Sequence, residues 1–203
     1  MTVAQARLAF FDQIADRWLC KHRDHPRLSE VADYVDVHPG QDVLDVAAGP
    51  GLLSRLLAER TGPRGRVVSL DFSFRMTALA QEQCSNCRQV LVVRADAQVL
   101  PLADASFDRV VMCAALPHFP DWRAALREAA RVLRATGRLT IVHLLSSSEL
   151  MEVHRRAGRP VVGDLLPPRE TLLRELLSLR MSVTTFRDEP GLYLVQANKL
   201  RVS

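Results

Sequence analysis

The chain is poor in the features that would commit it to a membrane, a nucleic acid or a disulfide framework. No apolar run approaches the ~18 residues that a membrane span requires. No internal repeat, low-complexity tract or long linker interrupts its 203 residues. Lysine is nearly absent, at positions 21 and 199, so the modest net charge of +4 is carried by scattered arginines. No block of like charge forms the basic stripe that a nucleic-acid groove needs. Cysteine is scarce. Cys20, Cys84, Cys87 and Cys113 are the four present, and Cys84 and Cys87 make a lone C-x-x-C. Without a second ligand pair or a redox context, that pair reads as free thiols at a helix end, which implies a reducing, cytoplasmic setting and no metal site. The opening segment MTVAQARLAFFDQIADRW carries charges inside its apolar periodicity and does not read as a signal peptide.

What is present is an alternating pattern. Residues 3–19 place Leu8, Phe11, Ile14, Ala15 and Trp18 at helical spacing, and a second helix is expected over 27–37. Short apolar strands follow at 43–47, 67–70, 90–93, 108–113 and 139–143. Helices lie between them at 52–60, 73–84 and 122–134, with Ser73 and Asp121 as N-caps and Gly62 and Gly137 as stops. Helical pattern returns at 147–156 and 169–179. Two strands, 182–187 and 192–199, are then joined by a Pro-Gly turn, which implies an antiparallel pair. Strand–helix alternation of this kind predicts right-handed crossovers: an α/β, doubly wound, mostly parallel sheet with helices on both faces. The hairpin is expected to add an antiparallel strand to its edge. The ligand site of such a sheet lies beyond the carboxyl ends of its strands.

VLDVAAGPG, residues 43–51, sits at such an end. Its glycines permit left-handed backbone and close approach of a ligand, and the following helix offers free N–H groups. A dinucleotide fingerprint needs a third glycine where Ser54 stands, which argues against a nicotinamide-dependent oxidoreductase. No lysine or arginine occupies 47–52 to meet a phosphate. Asp71 ends the second strand, where a carboxylate can accept from ribose hydroxyls. Asp96 and Ala97 follow the third, where a carboxylate can accept from an adenine amine.

VLDVAAGPG, VVSLDFSFRM, RADAQVLPLADASFDRVVM and LREAARVLRATGRLTIV together resemble, in order, the motifs of class I S-adenosylmethionine-dependent methyltransferases, small-molecule type, similar to the ubiquinone/menaquinone group. The resemblance spans roughly residues 8–144 and implies a seven-stranded sheet. It assigns Asp45, Ala47, Ala48, Gly49 and Gly51 to the methionine part of S-adenosyl-L-methionine. Asp71 goes to the ribose, Phe72 and Met76 lie beside the adenosine, Asp96 and Ala97 meet the adenine, and Cys113 lies near the sulfonium. The family's first glycine is here Ala47.

The implied reaction is in-line methyl transfer to a small-molecule acceptor, which asks chiefly for alignment and exclusion of water. His118 and His143 emerge on the carboxyl edge as candidate catalytic residues, with unperturbed histidine suited to general-base work. His154 follows on the next helix, and 162–168 reads as an ordered loop over the same edge. Phe11 and Trp18 lie on a first helix similar to the family's N-terminal lid, with docking onto the sheet as its other role. One domain is expected: a lid segment at 1–38, a cofactor-binding core at 39–145 and substrate-side helices with the hairpin at 146–203, as monomer or homodimer. The rival function is a module that binds S-adenosylmethionine or S-adenosylhomocysteine without turnover.

Overall fold

The computed structural model describes residues 3–201. Helices α1 (Val3–His22) and α2 (Leu28–Val35) precede β1 (Asp42–Val46), α3 (Leu52–Thr61), β2 (Arg66–Asp71), α4 (Phe74–Gln83) and β3 (Val90–Arg94). The chain continues through β4 (Phe107–Cys113), α5 (Trp122–Val132), β5 (Leu133–His143), α6 (Ser147–Ala157), α7 (Arg169–Ser178), β6 (Met181–Glu189) and β7 (Leu192–Lys199).

The seven strands form one sheet in the order β3-β2-β1-β4-β5-β7-β6. The first five are parallel to their neighbours, and β7 is antiparallel to both β5 and β6. The order reverses between β1 and β4, so the carboxyl ends of these two strands open the crevice where ligands of such sheets bind. Alternation along each strand feeds two apolar layers. Leu44, Val46, Val110, Met112 and Ile141 pack with Leu126 and Ala129 of α5 and with Leu172 and Leu176 of α7. On the other face, Val43, Val67, Val111 and Val142 pack with Val31 and Val35 of α2 and with Leu53 and Leu57 of α3.

Two expectations are corrected. The antiparallel strand is not at the edge: β7 is inserted between β5 and β6, and β6 is the outer strand. The α5–β5 boundary also lies earlier than Gly137. The helix stops at Val132 because Leu133 turns extended and pairs with Phe107, its side chain fully buried. Gly137 lies inside β5, where a Cβ would come within 2.9 Å of the Leu133 side chain and 3.0 Å of the Arg134 carbonyl. The caps behave as expected. Ser73 Oγ accepts from Met76 N–H at 3.1 Å, and Asp121 Oδ1 accepts from Ala124 N–H at 3.0 Å.

Candidate active site at the carboxyl edge

The turn after β1 is held in left-handed backbone at three residues: Ala47 (φ 54°), Gly49 (φ 56°) and Gly51 (φ 78°). Gly51 is the N-cap of α3 and has no side-chain cap, so the first-turn N–H groups of that helix lack a capping oxygen. It must be glycine twice over: a Cβ there would lie 3.0 Å from that of Ala80. Beneath the turn, Asp45 is 1% exposed and its Oδ2 accepts from the Ser54 hydroxyl at 2.7 Å. Burial, with the nearby charge of Asp71 adding to it, pushes the Asp45 carboxyl up to about 7. Asp45 thus braces the turn from below and does not line the cleft. Ser54, at the position of the missing third glycine, is the other half of that brace.

Asp71 closes β2 at the cleft wall. Its Oδ2 accepts from Gly49 N–H at 2.9 Å and its Oδ1 from Ser73 N–H at 2.9 Å, so the carboxylate is fixed between the two turns. Burial raises its pKa to about 6 against these hydrogen bonds. Ala47, Leu70, Phe72, Ala95, Asp96, Ala97 and Gln98 continue the same cleft. Asp96 is exposed, and its Oδ1 accepts from the Gln98 backbone N–H at 2.8 Å. Met76 is buried below, its sulfur 3.8 Å from where a Cβ on Gly49 would stand. A left-handed turn free of cations, an oriented carboxylate at the end of β2 and apolar walls fit an uncharged nucleoside carrying an amino-acid tail. A pyrophosphate would find no cation in the turn.

The far wall comes from α1 and from the short 3-10 turn Leu116–His118. Arg7, His118, Phe119 and Pro120 line it. Phe11 sits edge-on to both Phe72 and His118, with ring centroids 5.7 and 5.3 Å apart. His118 Nδ1 is 2.7 Å from Asp164 Oδ2, and Arg7 grips both oxygens of the same carboxylate. His154 is 5% exposed, and its Nδ1 donates to the Asp164 carbonyl at 2.6 Å. Burial lowers the His118 pKa below 6.5 despite Asp164.

A methyltransferase domain model matches residues 44–141. A demethylmenaquinone methyltransferase of Staphylococcus aureus is 35% identical over 120 residues, 59% of this chain and 49% of that protein. Residues 44–141 are thus similar to a methyltransferase domain, of the kind found in S-adenosylmethionine-dependent methyltransferases. An uncharacterized 37.1 kDa protein in a Streptomyces fradiae transposon is 39% identical over 113 residues, 56% of this chain and 33% of that protein. The chain spans between a third and a half of the length of these curated relatives. A SAM-dependent methyltransferase from Aquifex aeolicus shares the fold, with a TM-score of 0.74 at 21% identity, covering 91% of this chain and 98% of that one.

Three of the sequence-derived candidates, Trp18, His143 and Cys113, are not among the residues that line the cleft. Trp18 is 37% exposed and packs on His22, with ring centroids 4.4 Å apart, and does not line the cleft. The helical stripe turns away by that point, and Ala15 and Leu19 dock α1 against Leu52, Met76 and Leu79 instead. His143 is 2% exposed, and neither ring nitrogen has a hydrogen-bond partner among the described residues. Burial, reinforced by the neighbouring His118 and His154, pushes its pKa down to about 3, so the near-6.5 value expected of a base does not hold for it. Cys113 packs against the Val111–Val142 layer, and burial pushes its thiol up to about 12, so it stays protonated.

Arg7, Asp12 and Asp164 are the residues the sequence reading did not single out. Arg7 precedes Phe11 by four positions, hence on the same helix face, which is the signal that could have found it. Asp12 accepts from the Ser73 hydroxyl and from Arg75 N–H, tying α1 to the start of α4. Among the described residues, no group of three His, Cys, Asp or Glu is placed to hold a metal ion.

Proposed function

We propose that this chain transfers the methyl group of S-adenosylmethionine to a small-molecule acceptor, with the cofactor beside the 47–51 turn and the acceptor between α1 and His118. The observation that carries this is Asp71, a buried carboxylate oriented by Gly49 and Ser73 N–H groups at the mouth of a cleft whose turn holds no cation. When bound, the sulfonium supplies an activated methyl group for displacement in line with the sulfur.

The chain's own residues do the rest. Asp71 accepts from the ribose hydroxyls, Asp96 accepts from the adenine amine, and Phe72 and Ala97 wall the base. The uncapped start of α3 receives the carboxylate of the amino-acid tail. Asp45 holds the turn through Ser54. Phe11 covers the reacting region and excludes water, which makes residues 1–38 a lid over a 39–145 cofactor core. His118 is the base on the acceptor side. His143, buried away from the cleft lining and held neutral by its burial, is not the proton acceptor.

Calorimetry with S-adenosylhomocysteine tests the reading. The wild-type chain binds it, and Asp71→Ala weakens binding at least about tenfold, since a hydrogen bond to a charged group contributes ~1.5–3 kcal/mol. Unchanged affinity in the variant, or stabilisation by NAD in place of S-adenosylhomocysteine, overturns the assignment. Binding without label transfer from methyl-tritiated cofactor to any metabolite-extract component identifies a non-catalytic module instead.

A further inference from the structure

Three parts of the chain, through Arg7, His118 and His154, converge on one aspartate that cofactor binding leaves unused. Asp164 is 3% exposed. One of its oxygens accepts from Arg7 Nη1 at 2.7 Å, and the other is gripped by Arg7 Nη2. Arg7 Nη1 also donates to the His118 carbonyl at 3.0 Å. The Asp164 carboxylate meets His118 Nδ1, and its carbonyl meets His154 Nδ1. An ionised carboxylate has no proton to give, so the proton of this contact belongs to His118 Nδ1. The neutral ring then carries its lone pair on Nε2, in a residue that lines the cleft.

The charge pattern restricts what can be placed there. The Arg7 guanidinium charge is matched by Asp164, and its Nε is buried without a partner. An anionic acceptor would find no unmatched cation on this wall. A cationic amine would find no unmatched carboxylate, because Asp71 and Asp96 stand on the opposite, cofactor-binding wall. The rings of Phe11 and Phe119 suit an apolar body. A thiol ionises near pH 8.5 in water and needs little help, whereas a phenolic hydroxyl, near 10, profits from a positioned base.

We propose that Asp164, clamped by Arg7, is the positioning residue that fixes His118 with a free Nε2, and that the acceptor is a neutral molecule with a phenolic or enolic hydroxyl. This rests on the methyl-transfer reading above. The acceptor's O–H proton passes to His118 Nε2 as its oxygen bonds to the methyl carbon. The carbon–sulfur bond breaks with its electron pair retained by the sulfur, which leaves as a neutral thioether, and His118 then releases the proton to solvent. Asp164, Arg7, His154 and the neutral His143 are the titratable and charged groups near His118, and burial outweighs Asp164 in setting its proton affinity. Turnover therefore rises with pH through a value below 6.5 and then levels.

Nitrogen-15 NMR of the histidine rings in the full chain reads the tautomer without needing an acceptor. The wild type shows His118 protonated at Nδ1. Asp164→Asn, or the charge-balanced pair Arg7→Met with Asp164→Leu should the single variant fail to fold, shifts the proton toward Nε2. Methyl-tritiated S-adenosylmethionine offered with a panel of neutral phenols, carboxylates and amines labels the phenols. With the labelled phenol as substrate, the variants lose roughly 100-fold or more in kcat, while S-adenosylhomocysteine affinity stays within about twofold. A wild-type His118 protonated at Nε2, an unaltered pH–rate profile in the variants, or label on no neutral hydroxyl overturns the proposal. Failure of the wild type to bind S-adenosylhomocysteine sinks the underlying reading, and the NMR result still decides the role of Asp164.

Discussion

Ala47 holds a left-handed backbone that ordinarily belongs to glycine. A left-handed L-residue costs ~1–2 kcal/mol, partly offset by the greater freedom glycine has when unfolded. Ala47→Gly is therefore expected to raise stability by about 0.5–1 kcal/mol in urea unfolding and to leave S-adenosylhomocysteine affinity intact. Gly51→Ala has the opposite sign. Strain at φ 78° and the approach to Ala80 cost about 1–3 kcal/mol, seen as a lower urea midpoint. These positions were legible because small residues in a turn announce backbone geometry. Asp164 was not, because an isolated aspartate in a Pro- and Gly-containing loop gives no hint of the arginine 157 positions away that closes on it. His143 was legible in place but not in chemistry, since burial sets its proton affinity and burial is a property of the packed whole.

At the level of elements, α1 is fastened to the domain by polar side chains as much as by apolar ones. Asp12 engages the N-cap Ser73 and Arg75, Asp16 pairs with Arg75, and Arg7 reaches Asp164. The apolar contribution is a small cluster around Ala15 and Leu19. Asp12→Ala removes acceptors from two donors, worth ~1 kcal/mol each. The expected result is faster amide exchange along α1, with the exchange of β1 and β4 unchanged. Equal acceleration everywhere would mean that α1 opens only with the whole domain. Helical spacing had announced the existence of α1, but not which of its polar residues would anchor it. The α5–β5 junction shows the same division. The periodicity located both elements, while the boundary depended on Leu133 pairing with Phe107, a contact between distant residues.

For the whole molecule, the alternation of strands and helices was enough to read a doubly wound sheet, and the switch point between β1 and β4 follows from that winding. The position of β7 did not follow, because a tight turn fixes which strands pair with each other and not which one joins the rest. Stability should carry the imprint of the buried titrating groups. Asp45 and Asp71 have folded pKa values of about 7 and about 6, above the ordinary 3.8. Their contribution is full at low pH and is lost as pH rises through those values. His143, at about 3 against an ordinary 6.5, acts in the other direction, and its contribution is lost as pH falls from about 6.5 toward about 3. Urea unfolding at pH 5, 6.5 and 8 separates the two. Asp45→Asn gains most over wild type at pH 8, and His143→Phe gains most at pH 5. Identical pH profiles for wild type and both variants would contradict these burial effects.

The insertion of β7 between β5 and β6 has a consequence for how the chain is assembled. During synthesis β6 emerges first yet has no seat until its successor arrives, since its ladder partner in the sheet is β7. Until then, the flank of β5 stays open as an unpaired row of amides and carbonyls, a surface on which another nascent chain can dock. β7 must pair with both β5 and β6 before the sheet is closed.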